Sequence, residues 1–242
     1  MRALDARDIL GLWEVCPPLH PIDRALAILR VGTGRSWAEL AALPIGERER
    51  LAAALRVATF GPAAEATDAC PACGVAHELE LPLMAVIDAP AASAEPFTAE
   101  VAELALTLRL PDSRDQAALV ACREPARAVR RLLERCVVAA RRGDAPVAVD
   151  ALDDEAVAAI AALLEARDGN ADNRLALTCV ACGHAWEASL DAGEYLWIEV
   201  RDRARRLMYE IDALARAYHW SEDAIVAMSA RRRAAYLEMV SA

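Results

Sequence analysis

The sequence predicts an α-dominated α+β fold in which a discontinuous zinc ribbon is embedded among helices. Three observations carry this. Two Cys-x-x-Cys-Gly hooks stand far apart, Cys70-Pro71-Ala72-Cys73-Gly74 and Cys179-Val180-Ala181-Cys182-Gly183, and each leads into a short alternating run. Hydrophobic residues make up 56% of the 242 residues, much of it Ala and Leu, which favour helix. Leu104, Leu106, Leu108 and Leu110 alternate with Ala105, Thr107 and Arg109, the period of a half-buried strand.

The hooks set the chemistry. Two pairs supply the four thiolates that tetrahedral zinc takes, whereas a single Cys-x-x-Cys could be a redox pair. The glycine after each pair can adopt φ > 0, so that backbone amides turn toward the sulfurs. Cys70, Cys73, Cys179 and Cys182 are therefore the expected ligands of one structural Zn2+ per chain, with no coordination position left open for catalysis. His77 and His184 follow the hooks and read as strand residues, replacement of a thiolate being the alternative. The four expected strands (after each hook, at 104–110, and leading into Cys179) are expected to form one small antiparallel sheet around the metal.

In chain order, residues 4–15 read as a helix stopped by Pro17 and Pro18, and residues 22–31 as a second that Gly32 and Gly34 end. Ser36-Trp37-Ala38-Glu39 is a capping box for a short third helix, and Pro44 opens a fourth that ends near Phe60-Gly61-Pro62. Residues 88–98 read as a loop. Asp112 and Ser113 cap a helix over about 113–121, followed by helices over about 124–142 and 153–167. In the second of these, Val129, Leu132, Leu133, Val137 and Val138 make an apolar face against Val157, Ile160, Leu163 and Leu164 of the third. From Glu194 onward the chain reads as helix, with short final helices capped by Ser221 and Ser229.

A net charge of -10 argues against broad nucleic-acid binding, while the absence of Lys, with the abundance of Ala, reads as base composition. Seven cysteines, three of them outside the hooks, fit a reducing compartment. No signal-peptide core and no long uncharged apolar run are present, so the expectation is a cytoplasmic chain without a membrane span. No metalloprotease, phosphate-loop or nucleophile-elbow motif occurs, so no enzyme, small-molecule substrate or catalytic residue is expected. Arg201, Arg203, Arg205, Arg206 and Arg231–Arg233 leave a zinc-ribbon adaptor in transcription or nucleic-acid handling as the alternative, although Asp202, Glu210, Asp212, Glu222 and Asp223 are interleaved with them.

Several further segments line up with these motifs. Pro44-Ile45-Gly46-Glu47-Arg48, Leu108-Arg109-Leu110-Pro111-Asp112-Ser113-Arg114-Asp115, Tyr195-Leu196-Trp197-Ile198-Glu199 and the tail from Leu214 to Leu237, with both hooks between, resemble the T4-like baseplate hub assembly chaperone family of contractile phage tails and phage-tail-like injection systems. The resemblance runs from about residue 44 onward and is strongest in the tail. It implies a non-enzymatic role in baseplate or hub assembly, with hub or baseplate subunits as partners and a cytoplasmic or particle-associated location, and it carries the four hook cysteines over as zinc ligands. The expected division is a helical region over 1–64, a zinc-ribbon module over 65–192 with inserted helices at about 113–167, and a helical docking region over 193–242. Tyr218, Trp220 and Tyr236 are the expected docking anchors, with Arg231, Arg232 and Arg233 as their polar rim.

Overall fold

The computed structural model describes residues 1–101 and 103–241, so residue 102 of the expected central module and residue 242 of the expected docking region lie outside it. The chain opens with four helices, α1 (Ala6–Val15), α2 (Pro21–Thr33), α3 (Trp37–Ala41) and α4 (Ile45–Phe60). Their starts are written locally: Asp5 with Asp8, and Ser36 with Glu39, form reciprocal capping boxes, and Pro21 stands in the first turn of α2. A hairpin of β1 (Glu65–Ala69) and β2 (Ala76–Glu80) follows, then α5 (Leu83–Asp88). Next come β3 (Phe97–Val101), β4 (Leu104–Leu108), α6 (Ser113–Leu119), α7 (Pro125–Cys136), β5 (Val137–Arg142), β6 (Ala145–Pro146) and α8 (Asp154–Arg167). A second hairpin of β7 (Arg174–Thr178) and β8 (Ala185–Ser189) leads into the long α9 (Ala192–Tyr218), and α10 (Glu222–Val226) and α11 (Ala230–Ser241) close the chain.

The apolar side chains gather in two cores. In the first, α9 buries Leu196, Val200, Ala204, Leu207, Ile211 and Leu214, spaced by three and four residues, against α1, α2 and α4. The roots of both hairpins belong to this core through Ala64, Leu81 and Leu190. In the second core, a four-stranded antiparallel sheet in the order β3-β4-β5-β6 turns Leu104, Leu106, Leu108 and Ala140 onto Leu133 and Cys136 of α7 and onto Ile160 and Leu164 of α8.

The junction between the cores is polar and buried. The Arg48 guanidinium donates to Ser113 Oγ (2.9 Å), Gln116 Oε1 (2.7 Å) and Glu49 Oε1 (2.9 Å), while the other Glu49 oxygen accepts from the Ala192 amide at the start of α9 (2.7 Å). Gly46 N donates to Asp168 Oδ2 (2.9 Å), and a Cβ on Gly46 would stand 2.0 Å from Asp168 Oδ1, so the approach requires glycine. Asp115 is fully enclosed and accepts from Arg109, Arg135 and the Asp112 amide. These pairs satisfy charges that would otherwise be costly to bury.

Three expectations are corrected. The four expected strands do not share a sheet: the hook strands form two separate two-stranded ribbons, and β4 lies in the second core between β3 and β5. Each hook closes a hairpin on itself, and the insertion offers β4 its own partners. The helix expected over 124–142 ends at Cys136, where Val137 begins β5 and pairs with Leu108. The apolar period does not break there, but two β-branched residues meet an open edge of β4, and tertiary pairing overrides helix propensity. Val138 consequently points to solvent. The loop expected over 88–98 is shorter, since Phe97 already pairs with Leu108 in β3.

Candidate metal centre

Each hook is the tip of a hairpin, and the two tips are built alike. In the first, Gly74 N donates to Cys70 O (2.8 Å) and Cys70 N to Val75 O (2.9 Å); in the second, Gly183 N donates to Cys179 O (2.9 Å) and Cys179 N to His184 O (2.8 Å). Gly74 and Gly183 both have φ of 74°, the left-handed conformation expected of them. The equivalence extends to the roots. Five residue pairs form each ladder, from Glu65↔Glu80 to Ala69↔Ala76 and from Arg174↔Ser189 to Thr178↔Ala185. Below them, Leu81 N donates to Ala64 O and Leu190 N to Asn173 O, both at 2.8 Å. The duplication visible in sequence as a hook is a whole hairpin.

The ribbons meet through their half-buried faces. Trp186 Nε1 of β8 donates to an Asp68 oxygen of β1 (3.0 Å), and the His77 ring lies 5.5 Å from the Trp186 ring. At the tips this brings all four sulfurs within 4.8 Å of one another, with Cys70 Sγ–Cys182 Sγ at 3.7 Å and Cys73 Sγ–Cys179 Sγ at 3.5 Å. These separations exceed a disulfide bond of about 2.05 Å. They approach the ~3.8 Å edge of a tetrahedron whose corners lie about 2.3 Å from a central ion. His77 is a strand residue in β2, and His184 directly precedes β8; neither is in the four-sulfur group.

The electrostatics of the sulfurs are those of a cluster that wants a cation. The Val75 amide favours the Cys73 thiolate, yet the neighbouring thiols Cys179, Cys182 and Cys70 push it up to about 12. Cys179 resists burial and is drawn down to about 5 by the amides of Cys182 and Ala181 and by His77. Left alone, Cys179 is drawn toward the thiolate while Cys73 and Cys182 are held back from it. A metal ion removes that conflict by deprotonating all four sulfurs. The cluster is thus compatible with a metal ion held by Cys70, Cys73, Cys179 and Cys182.

The expected docking residues lie at the other end of α9. Tyr218, Trp220 and Tyr236 do come together: Tyr218 stacks on Trp220 at 4.5 Å, and Tyr236 meets both edge-on at 5.6 and 4.8 Å. The cluster packs against the first core. Arg232 lies 5.7 Å over the Tyr236 ring and Arg231 is exposed, but Arg233 is only 3% exposed and bonds Glu210 (3.0 Å) and Met228 O. Arg233 is a tether of α11 to α9, beneath the surface where a rim would be. Ion pairs also occupy most of the neighbouring cations, Arg203 with Glu210 and both Arg201 and Arg205 with Asp202.

The T4 bacteriophage base plate protein family model matches residues 32–192. This stretch begins before the first hook and ends just after β8, so it takes in both ribbons and the whole second core. The chain belongs to that family. No curated protein and no solved structure matches it. The match starts earlier than residue 44 and stops at the first residue of α9, so it does not include the tail in which the sequence resemblance is densest. Among the described residues, no helix of this base plate family member is long and apolar enough to cross a membrane.

Proposed function

We propose that this chain assembles the baseplate or hub of a contractile phage tail or phage-tail-like injection system through protein contacts, without catalysing a reaction, and that a single structural Zn2+ clasps its two ribbons. The observation that carries the reading is the family match over residues 32–192, whose bounds enclose both cysteine hairpins. The donor set supports zinc: four sulfurs at near-tetrahedral spacing suit a soft, closed site and leave no position for substrate. His77 would sit beside the ion and fix the Cys179 sulfur, as outer partners of metal ligands do.

In this reading the chain acts in the cytoplasm or on the particle, binds hub or baseplate subunits, and needs neither a small molecule nor nucleic acid. The helical regions at 1–64 and 193–242 would flank the metal-bearing part at 65–192. Co-expression with tagged baseplate subunits of the same particle tests the assembly role. Capture of the chain by a hub or baseplate subunit, followed by assay of whether mature particles retain it, is the expected positive result. Absence of capture by every baseplate subunit would overturn the reading.

A further inference from the structure

At the N-terminal end of α7 the charges contradict the local physics of a helix. Glu124 is the N-cap residue, but its side chain caps no amide, and Pro125 occupies the first turn. Helix N-termini favour anions, yet Arg127 falls in the first turn and Arg131 one turn further along the same face, with Arg123 just before the helix. Arg123, Arg127 and Arg131 line one groove of about 390 Å3 with Ala118, Ala121, Cys122 and a single acid, Glu124. All three arginines are exposed, and none has an ion pair or side-chain hydrogen bond among the described residues. Like charges four residues apart on a helix repel. Many other arginines of the chain are ion-paired, among them Arg109 and Arg135 with Asp115, Arg130 with Asp154, and Arg203 and Arg233 with Glu210.

We infer that the groove formed by Arg123, Arg127 and Arg131 at the α6–α7 corner is a docking site for an acidic segment of a partner protein. Carboxylates placed at helical spacing would satisfy the guanidinium groups and the uncapped end of α7 at once. Ala118 and Ala121 leave room for the backbone of such a segment, and the neighbouring Val120, 58% exposed, offers it an apolar contact. A nucleic acid fits less well. Duplex DNA carries about one negative charge per 1.7 Å of axis, far more than three guanidinium groups on one groove can match, so the net charge of -10 repels it more strongly than a short acidic segment. The partner's place in a baseplate rests on the assembly reading above; the chemistry of the groove does not.

The test is fluorescence anisotropy with a labelled Ala-based helical peptide carrying Glu at every fourth position, titrated with the full chain. The expected result is binding that weakens as salt is raised and falls about tenfold in the triple variant R123E/R127E/R131E, as loss of three exposed charge pairs predicts. The variant should melt no lower than the parent, because the new acids suit the start of α7. No peptide binding, or equal binding by parent and variant, would overturn the inference. So would tighter binding of duplex DNA than of the peptide, or self-association of the parent that the variant abolishes, each of which assigns the groove to another occupant. Capture by tagged baseplate subunits is measured separately with both proteins. Failure of the parent to be captured removes the assembly reading and leaves the peptide result standing, whereas capture of parent and variant alike removes the docking assignment alone.

Discussion

Asp115 is 0% exposed, and its two oxygens accept from Arg109 at 2.6 and 2.8 Å and from Arg135 at 2.7 Å. Burial acts to raise its pKa, but the two guanidinium groups and the Asp112 amide outweigh burial and hold the carboxyl at about 2, below its ordinary value of 3.8. A depressed acid stabilises the fold fully above its unfolded value, and that contribution disappears as pH falls from there through the folded value. Asp115→Asn should therefore cost about 3–5 kcal/mol at neutral pH and flatten the loss of stability below pH 3.8, as urea melts at neutral and acid pH would record. Glu49 and Asp168 have the opposite sign. Burial raises both carboxyls, so their contribution is complete below the ordinary values of 4.5 and 3.8 and lost as pH rises through the raised ones. Gly46→Ala drives a methyl into Asp168 at 2.0 Å and should cost about 1–3 kcal/mol, measured by thermal melting. None of these links was legible in the sequence. Arg48 meets Ser113 and Gly46 meets Asp168 across long stretches of chain, and no local pattern marks such pairs. The hook cysteines were legible because their spacing is itself the chemistry. In the hooks, Cys70→Ser and Cys182→Ser should each lose the metal measured by elemental analysis. Cys136→Ser, buried in the second core, should keep it.

Among elements, those with local punctuation were read well and those set by partners were not. Ser36, Asp112 and Ser221 cap their helices through side-chain bonds to backbone amides, signals carried within a few residues. β5 had no such signal, since Val137 and Val138 extend the apolar period of α7 and only the edge of β4 decides their conformation. β1 was equally hidden, because Glu65-Ala66-Thr67-Asp68-Ala69 has little of the β-branched or aromatic character of a strand and is held by pairing with β2. Leu133 nonetheless sits where the apolar face placed it, 1% exposed between sheet and α8. Leu133→Glu buries a charge without a partner and should lower the melting temperature of the chain itself. Unchanged melting with loss of partner capture would instead make this face an interface. The tail divides into α10 and α11, which the sequence left between docking and folding back. Ile225 is 0% exposed in the first core, and Arg233 is bonded to Glu210. Deletion of residues 221–242 should consequently lower the melting temperature, in contrast to a free docking tail, which would leave it unchanged.

At the scale of the molecule, what the sequence could not disclose is how many separate ties hold front to back. Read from the hooks alone, the metal is the link between the halves. In the fold, α9 from the C-terminal side packs on α1, α2 and α4, and the Glu49–Ala192 and Asp168–Gly46 bonds join the same regions again. The hairpin roots at Leu81 and Leu190 lie in the first core, while the sulfurs stand at the far tips, beside Val180 at 89% exposure. A metal so placed would clasp two ribbons that are already anchored. An isolated two-stranded hairpin is marginal in water, so under the proposed metal reading the tips would depend on the clasp although the cores would not. Removing the metal with a chelator should accordingly act in two stages. Amide exchange at the tip residues Cys70, Gly74, Cys179 and Gly183, whose N–H groups bond within the hooks, should accelerate toward free-chain rates. The amides of α9 should stay protected, and the cooperative melt should persist at a lower temperature because a ligand of the folded state has been withdrawn. Loss of α9 protection on chelation would show that the metal organises the whole fold. Unaltered exchange at the tips would show that the four sulfurs hold no ion at all.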